Sequence, residues 1–476
     1  MRKNKLLTVF TLIAAACILI SGCQNPADDT TIIHDSTVDI PKTSPNSESE
    51  HTETDGVEAE TKKAVVPEQV IFSESETDIF SPSQEAKYEY KSTPHGAITS
   101  INTYIQPQND MEARALGDKC AVEIKANFIA DFEKNTAYCA KKPEDHVDKM
   151  VHVSTFTIID GMIYMTYYAN TGTEVEDPAY QEARFAFCPE DDPDNITIIR
   201  LQKVGDKLDG KTITAVYDTI LMHKDDEVLY LMWTAAVDGM YYRLYCTYTI
   251  STATIGPILP NRFKAGDVTN DFSSKGIIQC LAANSIPIKS LWSDIGIMQK
   301  LTTRVENGET WYYTGAYSGN FNCIIKSRDL ITWEYVSTPD FVNQSVWENA
   351  VYVLDDKCYY FVRQDGCEQG FLTCYDLVND TWETPTLIHD AQSRSDFIMY
   401  KDELYLIHAP IDRNGFGIIK INRDDLGKSE VMLVVDMKDS LFYPYTLVYD
   451  DYAYMSYTVN RKHIRLTRFN LSNYLG

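Results

Sequence analysis

The chain has 476 residues, 24% of them charged and 12% aromatic, with a formal net charge of −26 at pH 7. So large an acidic excess disfavours nucleic acid and anionic membrane surfaces as partners and favours solubility, while leaving the fold open. No Gly-rich phosphate loop, paired metal-ligand spacing or Ser/His/Asp context stands out, so neither a cofactor nor a metal is expected.

Residues 1–23 read as an export signal: Arg2, Lys3 and Lys5 precede an apolar run over 6–20, shorter than the roughly 20 residues a membrane span needs. The run ends in Ile20-Ser21-Gly22-Cys23, which resembles the lipobox of bacterial lipoproteins. The resemblance implies lipidation of Cys23 and an exported protein anchored to the outer side of the bacterial cell membrane by that lipid alone. Residues 24–90 read as a disordered acidic linker, with fifteen Asp/Glu and three Lys over 24–86 and few aromatic residues. The next stretch, 91–147, is an N-terminal extension with a strand in GAITSINTYI and a helix over 111–134. Nine cysteines follow Cys23; Cys188, Cys246, Cys323, Cys358 and Cys374 fall in or beside strands and read as buried thiols.

From 148 to 476 the sequence repeats one unit, a hairpin of alternating apolar residues about an acidic or amide turn. WENAVYVLDDKCYYFVRQ, turning at Asp355, shows it most clearly, and similar stretches turn near Asp160, Asp225, Asn307, Asp402 and Asp450. The last four turns are spaced by 48, 47 and 48 residues, the period of four-stranded propeller blades. An all-β, six-bladed β-propeller is expected. Most aromatics then fill the wedges between blades, 261–289 is a long excursion, and the strand in the N-terminal extension closes the ring by joining the last blade.

IIKSRDLITWEYV, at 324–336, resembles the Asp-box (BNR repeat) of the sialidase superfamily, with Ser327, Asp329, Thr332 and Trp333 in order and Leu330 or Ile331 in the glycine's place. It is also similar to a stretch of the five-bladed arabinanase and xylosidase-type glycosidases. In both families it is a turn between outer strands, remote from catalysis. FYPYTLVYDDYAYMSYTVNRKHIRLTRFNL resembles the last blade of exo-sialidases. That resemblance implies Tyr443 as nucleophile, Glu348 as its glutamate, and Arg363 and Arg413 as two of three carboxylate-binding arginines. The chain departs from the pattern at Thr458, where a glutamate is expected, and at His152, where the first arginine is expected. The family's acid falls at Tyr168-Ala169-Asn170, leaving Asp177 or Glu174 as substitutes.

Counting from the turns gives an independent grouping. Glu348, Tyr443 and Asp218 each stand seven residues before their turn, and His152 and Arg394 eight, so all five converge on one mouth of the central channel. Three functions follow. One is a surface-anchored exo-glycosidase of sialidase type. A second is an inverting arabinanase- or xylosidase-type hydrolase using Asp218, Asp294 and Glu348. The third is a non-catalytic propeller binding glycan or protein, in which Arg363, Arg394 and Arg413 merely pair with Asp365, Asp396 and Asp412. The expected partner is an extracellular glycan, and the expected state a monomer.

Overall fold

The predicted hairpins form because their turn residues tolerate left-handed backbone. Asp160, Asn307, Asp355, Asp402 and Asp450 have φ of 48°, 52°, 54°, 62° and 52°, a region that Asn and Asp enter more readily than other non-glycine residues. Asp225 turns its chain differently, its carboxylate accepting the backbone N–H groups of Glu227 (3.0 Å) and Val228 (2.9 Å). The computed structural model describes residues 70–73, 102–103, 148–192, 195–287, 295–318, 321–339, 346–364, 369–391, 393–437 and 439–475. The signal and Cys23, most of the linker, the helix expected over 111–134, Asp294 and Asp365 lie outside them.

The described chain is all-β, a β-propeller of antiparallel meanders that follow one another in sequence. Sheets one to five each contain a meander of four or more strands, and the sixth has three strands among the described residues. The first runs Met150–Ile159, Met162–Asn170, Gln181–Pro189 and Thr197–Lys203. The fourth runs Val346–Leu354, Lys357–Gln364, Gln369–Asp376 and Thr386–His389, and the sixth Leu441–Tyr449, Tyr452–Val459 and His463–Asn470. Large rings fill the wedges between sheets. Tyr164, Phe185 and Phe187 of the first meet Trp233 and Tyr248 of the second in one buried cluster, the apolar burial that drives sheet-on-sheet packing.

Three expectations need correction. The early strand does not join the last sheet: Asn102–Thr103 pairs in parallel with Thr386 and Leu387 at the edge of the fourth. The first and sixth sheets instead meet side by side, Ser456 donating to the Ser154 carbonyl (3.2 Å), Val151 N–H to the Arg461 carbonyl (2.9 Å), and Tyr454 to Glu190 (2.8 Å). Within the linker, Ile71–Phe72 is a strand paired in parallel with Thr254 and Ile255 of the second sheet. The excursion over 261–289 contains regular structure: a hairpin, Arg262–Ala265 with Val268–Asp271, extends the third sheet, and the helix Ser274–Ala283 packs against it.

The 324–336 turn lies between the outer strands Phe321–Ser327 and Thr332–Ser337, as expected. Asp329 accepts the N–H groups of Ile331 and Thr332, both at 2.8 Å, and Trp333 is fully buried. Leu330 has φ of 63° where the resemblance expects glycine, and its side chain is buried too. Burial raises the Cys188 and Cys374 thiols to about 12 and the Cys280 thiol to about 11. Those three cysteines and Cys246, Cys323 and Cys358 are all buried and unbridged. Among the described residues no helix is long and apolar enough to cross a membrane, and no cluster of His, Cys, Asp or Glu could hold a metal ion.

Near the axis a buried ion pair ties three sheets together. Lys300 Nζ lies 3.1 Å from Asp396 Oδ2 and donates to the Thr446 carbonyl (2.6 Å), while Thr446 N–H donates to the same Asp396 oxygen (2.7 Å). Burial raises the Asp396 carboxyl from 3.8 to about 6 against the opposing pull of Lys300. The folded state therefore binds this proton more tightly than the unfolded chain, so the group's contribution to stability is full below pH 3.8 and is lost as pH rises through about 6. Melting temperatures of wild type and Asp396→Asn across pH 4 to 7 should converge in slope only if this carboxyl is silent; the expectation is a wild-type decline over that window that the variant lacks.

Asp329→Ala removes an acceptor from two N–H groups without touching the axis. It should lower stability by about 1–2 kcal/mol, read by chemical denaturation, and leave ligand binding unchanged.

Candidate functional site

Four innermost strands share one irregularity. Between His152 and Thr155, Tyr217 and Ile220, Val346 and Asn349, and Phe442 and Tyr445, the strand advances three residues while its partner advances two. This is a β-bulge repeated at equivalent places, which locally breaks the alternation of side chains and re-aims them. Val153, Asp218 and Tyr443 sit in their bulges at φ of 51°, 53° and 55°. Glu348 lies in the fourth sheet's bulge. The equal spacing from the hairpin turns noticed in the sequence is this shared geometry.

The bulges bring Tyr443 and Glu348 together across the axis. Tyr443 donates its hydroxyl to Glu348 Oε1 at 2.5 Å, and Arg363 Nε lies 2.6 Å from Glu348 Oε2. Arg394 Nη2 lies 2.6 Å from Asp218 Oδ1 and 4.0 Å from Glu348 Oε1, and its guanidinium lies 4.6 Å from the Tyr443 ring centroid. The His152 imidazole also stacks on Tyr443, with centroids 4.6 Å apart, and its Nδ1 is 3.1 Å from Thr458 Oγ1. Thr458, which replaces the expected glutamate, thus holds the histidine that replaces the expected arginine.

The titration states follow from burial and these neighbours. Burial pushes the Glu348 carboxyl up, but Arg363, Arg394 and the Tyr443 hydroxyl together hold it below the usual carboxylate range. Burial, then Glu348, raises the Tyr443 phenol well above its ordinary value. His152 is held well below its ordinary value by burial first and then by Arg461, Arg394, Arg413 and Arg363, so it is neutral. The pair at rest is a phenol donating to a carboxylate, the arrangement in which a base can take the proton of a weak nucleophile.

Asp218 is only 4% exposed and lies between two guanidiniums, Arg394 and Arg243, the latter 3.3 Å from its Oδ2. That environment makes it an anchor for Arg394. Arg394 pairs with Asp218 and not with Asp396, which belongs to Lys300, and Arg363 pairs with Glu348. Arg413 stands in a turn with φ of 64°, its guanidinium 5.4 Å from the Phe442 ring centroid.

Sequence reasoning missed Arg461, Glu176 and Tyr168. Arg461 lies 5.0 Å from the same Phe442 ring and 3.2 Å from Glu176 Oε2, while Tyr168 donates to Glu176 Oε1. A signal for Arg461 was present: like Arg413, it follows a left-handed acid or amide residue just after the second strand of its sheet, Asp412 at 51° and Asn460 at 51°. Glu176 had no such signal, because its place depends on loop geometry. The substitutes considered for the acid are used elsewhere: Glu174 pairs with Lys462 at 2.9 Å, and Asp177 caps the short helix at Pro178–Tyr180 through Ala179 N–H. A separate cleft of about 750 Å³ lies at the turn ends of the fourth and fifth sheets, lined by Asp355, Asp356, Lys357, Glu403, Lys420 and Arg423. Its charges largely offset one another, and it is at the opposite end of the strand from Glu348.

No protein-family model matches the sequence, and no curated protein matches it. Solved structures with a similar arrangement are sialidases and glycoside hydrolases of propeller type. A Hadza microbial sialidase, Hz136, aligns over 68% of this chain and 66% of its own at 11% identity, with a TM-score of 0.49. The NanB sialidase from Streptococcus pneumoniae aligns over 70% of each chain at 8% identity and a TM-score of 0.44. An exo-β-1,3-galactanase from Phanerochaete chrysosporium aligns over 36% of this chain and 46% of its own at 11% identity, with a TM-score of 0.29.

Gly296 forms part of the wall of this site, where a Cβ would overlap the Tyr317 ring and meet Asp218 Oδ2 at 2.5 Å. Gly296→Ala should therefore cost about 1–3 kcal/mol of stability and weaken any ligand that depends on Arg394. Chemical denaturation and ligand titration of the same variant measure the two effects.

Proposed function

We propose that the protein is a six-bladed, sialidase-like propeller, counting the three-stranded sheet as the sixth blade, that acts on extracellular glycans as an exo-glycosidase for a sugar bearing a carboxylate. The observation that carries this reading is the Tyr443–Glu348 hydrogen bond beneath Arg363, Arg394, Arg413 and Arg461. Arg363 and Arg413 hold the substrate carboxylate. Glu348 accepts the Tyr443 proton as the phenol oxygen bonds to the anomeric carbon and the glycosidic C–O bond breaks. The departing oxygen takes a proton from a solvent water, and the hydroxide so formed adds to the anomeric carbon as the tyrosyl–sugar bond breaks and Glu348 returns its proton to the phenol oxygen. Tyrosine as nucleophile departs from the two-carboxylate rule in this way. Export and acylation at Cys23, supported by the signal and the Ile20-Ser21-Gly22-Cys23 stretch, would hold the propeller at the cell surface by lipid alone.

A second reading, a propeller that binds glycan without cleaving it, is favoured by the commitment of Glu174 and Asp177 to structural contacts. The carboxylate-only mechanism gives no role to the Tyr443–Glu348 hydrogen bond.

A panel of chromogenic glycosides, comprising a sialoside, an arabinofuranoside and a xyloside, separates these readings. Sialoside turnover is expected, falling by roughly 10³-fold or more in both Tyr443→Phe and Glu348→Gln. Binding of the free acidic sugar with no turnover would support the binding propeller. Turnover of a neutral sugar that survives Tyr443→Phe would support the carboxylate mechanism.

A further inference from the structure

The loop over 171–180 carries its own carboxylate onto the site. The Asn170 side chain builds this loop: its amide oxygen accepts from Gly172 N–H (2.8 Å) and Thr173 N–H (2.9 Å), and its amide nitrogen donates to the carbonyls of Val175 (3.0 Å) and Asp177 (3.2 Å). Glu176 is thereby presented to two donors, the Tyr168 hydroxyl at Oε1 and Arg461 Nη2, 3.2 Å from Oε2. Arg461 shares the Phe442 ring with Arg413, and both guanidiniums lie close enough to His152, which stacks on Tyr443, to act on its charge. The side chains of Arg461 and Glu176 are 35% and 33% exposed, against 2% for Glu348, so this ion pair is within reach of solvent and of a ligand. Arg461 Nε is buried and has no hydrogen-bond partner, leaving the guanidinium with donor capacity beyond the one contact.

We propose that Glu176 is a specificity-determining residue: a built-in carboxylate on Arg461 that an anionic sugar displaces and a neutral sugar does not. The proposal rests on the reading above that the site takes a carboxylated ligand. Exchange of one carboxylate for another conserves the ion pair, and the released Glu176 side chain, already partly exposed, recovers its hydration. A neutral hydroxyl offers Arg461 a weaker acceptor than the one it gives up, so the exchange runs uphill. Self-occupancy also reduces the apparent affinity for the right ligand, because only the fraction of molecules with Glu176 released is competent to bind.

The test is calorimetric titration of the mature full-length chain with N-acetylneuraminic acid. Glu176→Gln keeps an acceptor for Tyr168 but removes the charge facing Arg461, and it is expected to bind about three- to tenfold more tightly than wild type. Tyr168→Phe, which removes the other hold on Glu176, should shift affinity in the same direction and serves if the first variant fails to fold. Glu174→Gln makes the same charge change two residues away, on a side chain that pairs with Lys462, and should leave affinity nearly unchanged. Hydrogen exchange over 171–180 should become faster on ligand binding in wild type as the loop is released. Equal or weaker binding by Glu176→Gln, an equal gain in Glu174→Gln, or slower exchange in the loop overturns the proposal while the functional reading stands. If wild type and all variants fail to bind the acid, both fall.

Discussion

One extra residue in each of four innermost strands is the constraint on which the site depends. In an unbroken strand, successive side chains alternate between the two wedges beside a blade. The bulges at 153–154, 218–219, 347–348 and 443–444 interrupt that alternation at a common level, and Asp218, Glu348 and Tyr443 leave the ladder there. A non-glycine residue with positive φ costs on the order of 1 kcal/mol or more, and Val153, Asp218 and Tyr443 all adopt it. The surroundings hold them in place: the Asp218 carbonyl accepts from Arg243 at 2.7 Å, the Val153 carbonyl from Thr219 at 3.1 Å, and Tyr443 is bonded to Glu348.

Burying carboxylates at the axis creates the second requirement. Charges in a low-dielectric interior persist only where partners offset lost hydration. Here the partners form a chain of alternating sign, Arg363 to Glu348 to Arg394 to Asp218 to Arg243, running from the fourth sheet to the second. Each of the two acids thus lies beside two guanidiniums. Two acids gather three guanidinium groups in a protein whose net charge is −26. Arg413 and Arg461 lie beside this chain on the Phe442 ring, and Arg461 finds its acid on a loop.

The repeated hairpins were legible in the sequence because Asp and Asn at the turns have a local reason to be there, and because blades of equal length preserve the count from turn to mouth. That count brought Glu348, Tyr443, Asp218, His152 and Arg394 to one place. Pairing was less legible, since it is decided by distance through space: Arg394 selects Asp218, 176 positions away, over Asp396, two away. Glu176 was hidden for a related reason, because Asn170 and not strand periodicity sets the loop that carries it. The partners of short strands were likewise not written locally, and Asn102–Thr103 could be assigned to an edge only once the fourth sheet was in view.

The buried thiols provide a set of natural gauges. Cys188, Cys246, Cys323, Cys358 and Cys374 are distributed over the first four sheets, Cys280 sits on the helix beside the third, and the sequence has no cysteine beyond Cys374. Each must reach solvent and ionise before it reacts, and burial opposes both steps. The order in which an alkylating reagent claims them under mild denaturant therefore records the order in which these parts of the ring come apart, without a probe having to be introduced. Among the described residues the fifth and sixth sheets hold no cysteine, so Cys188 is the gauge for the seam beside the first sheet.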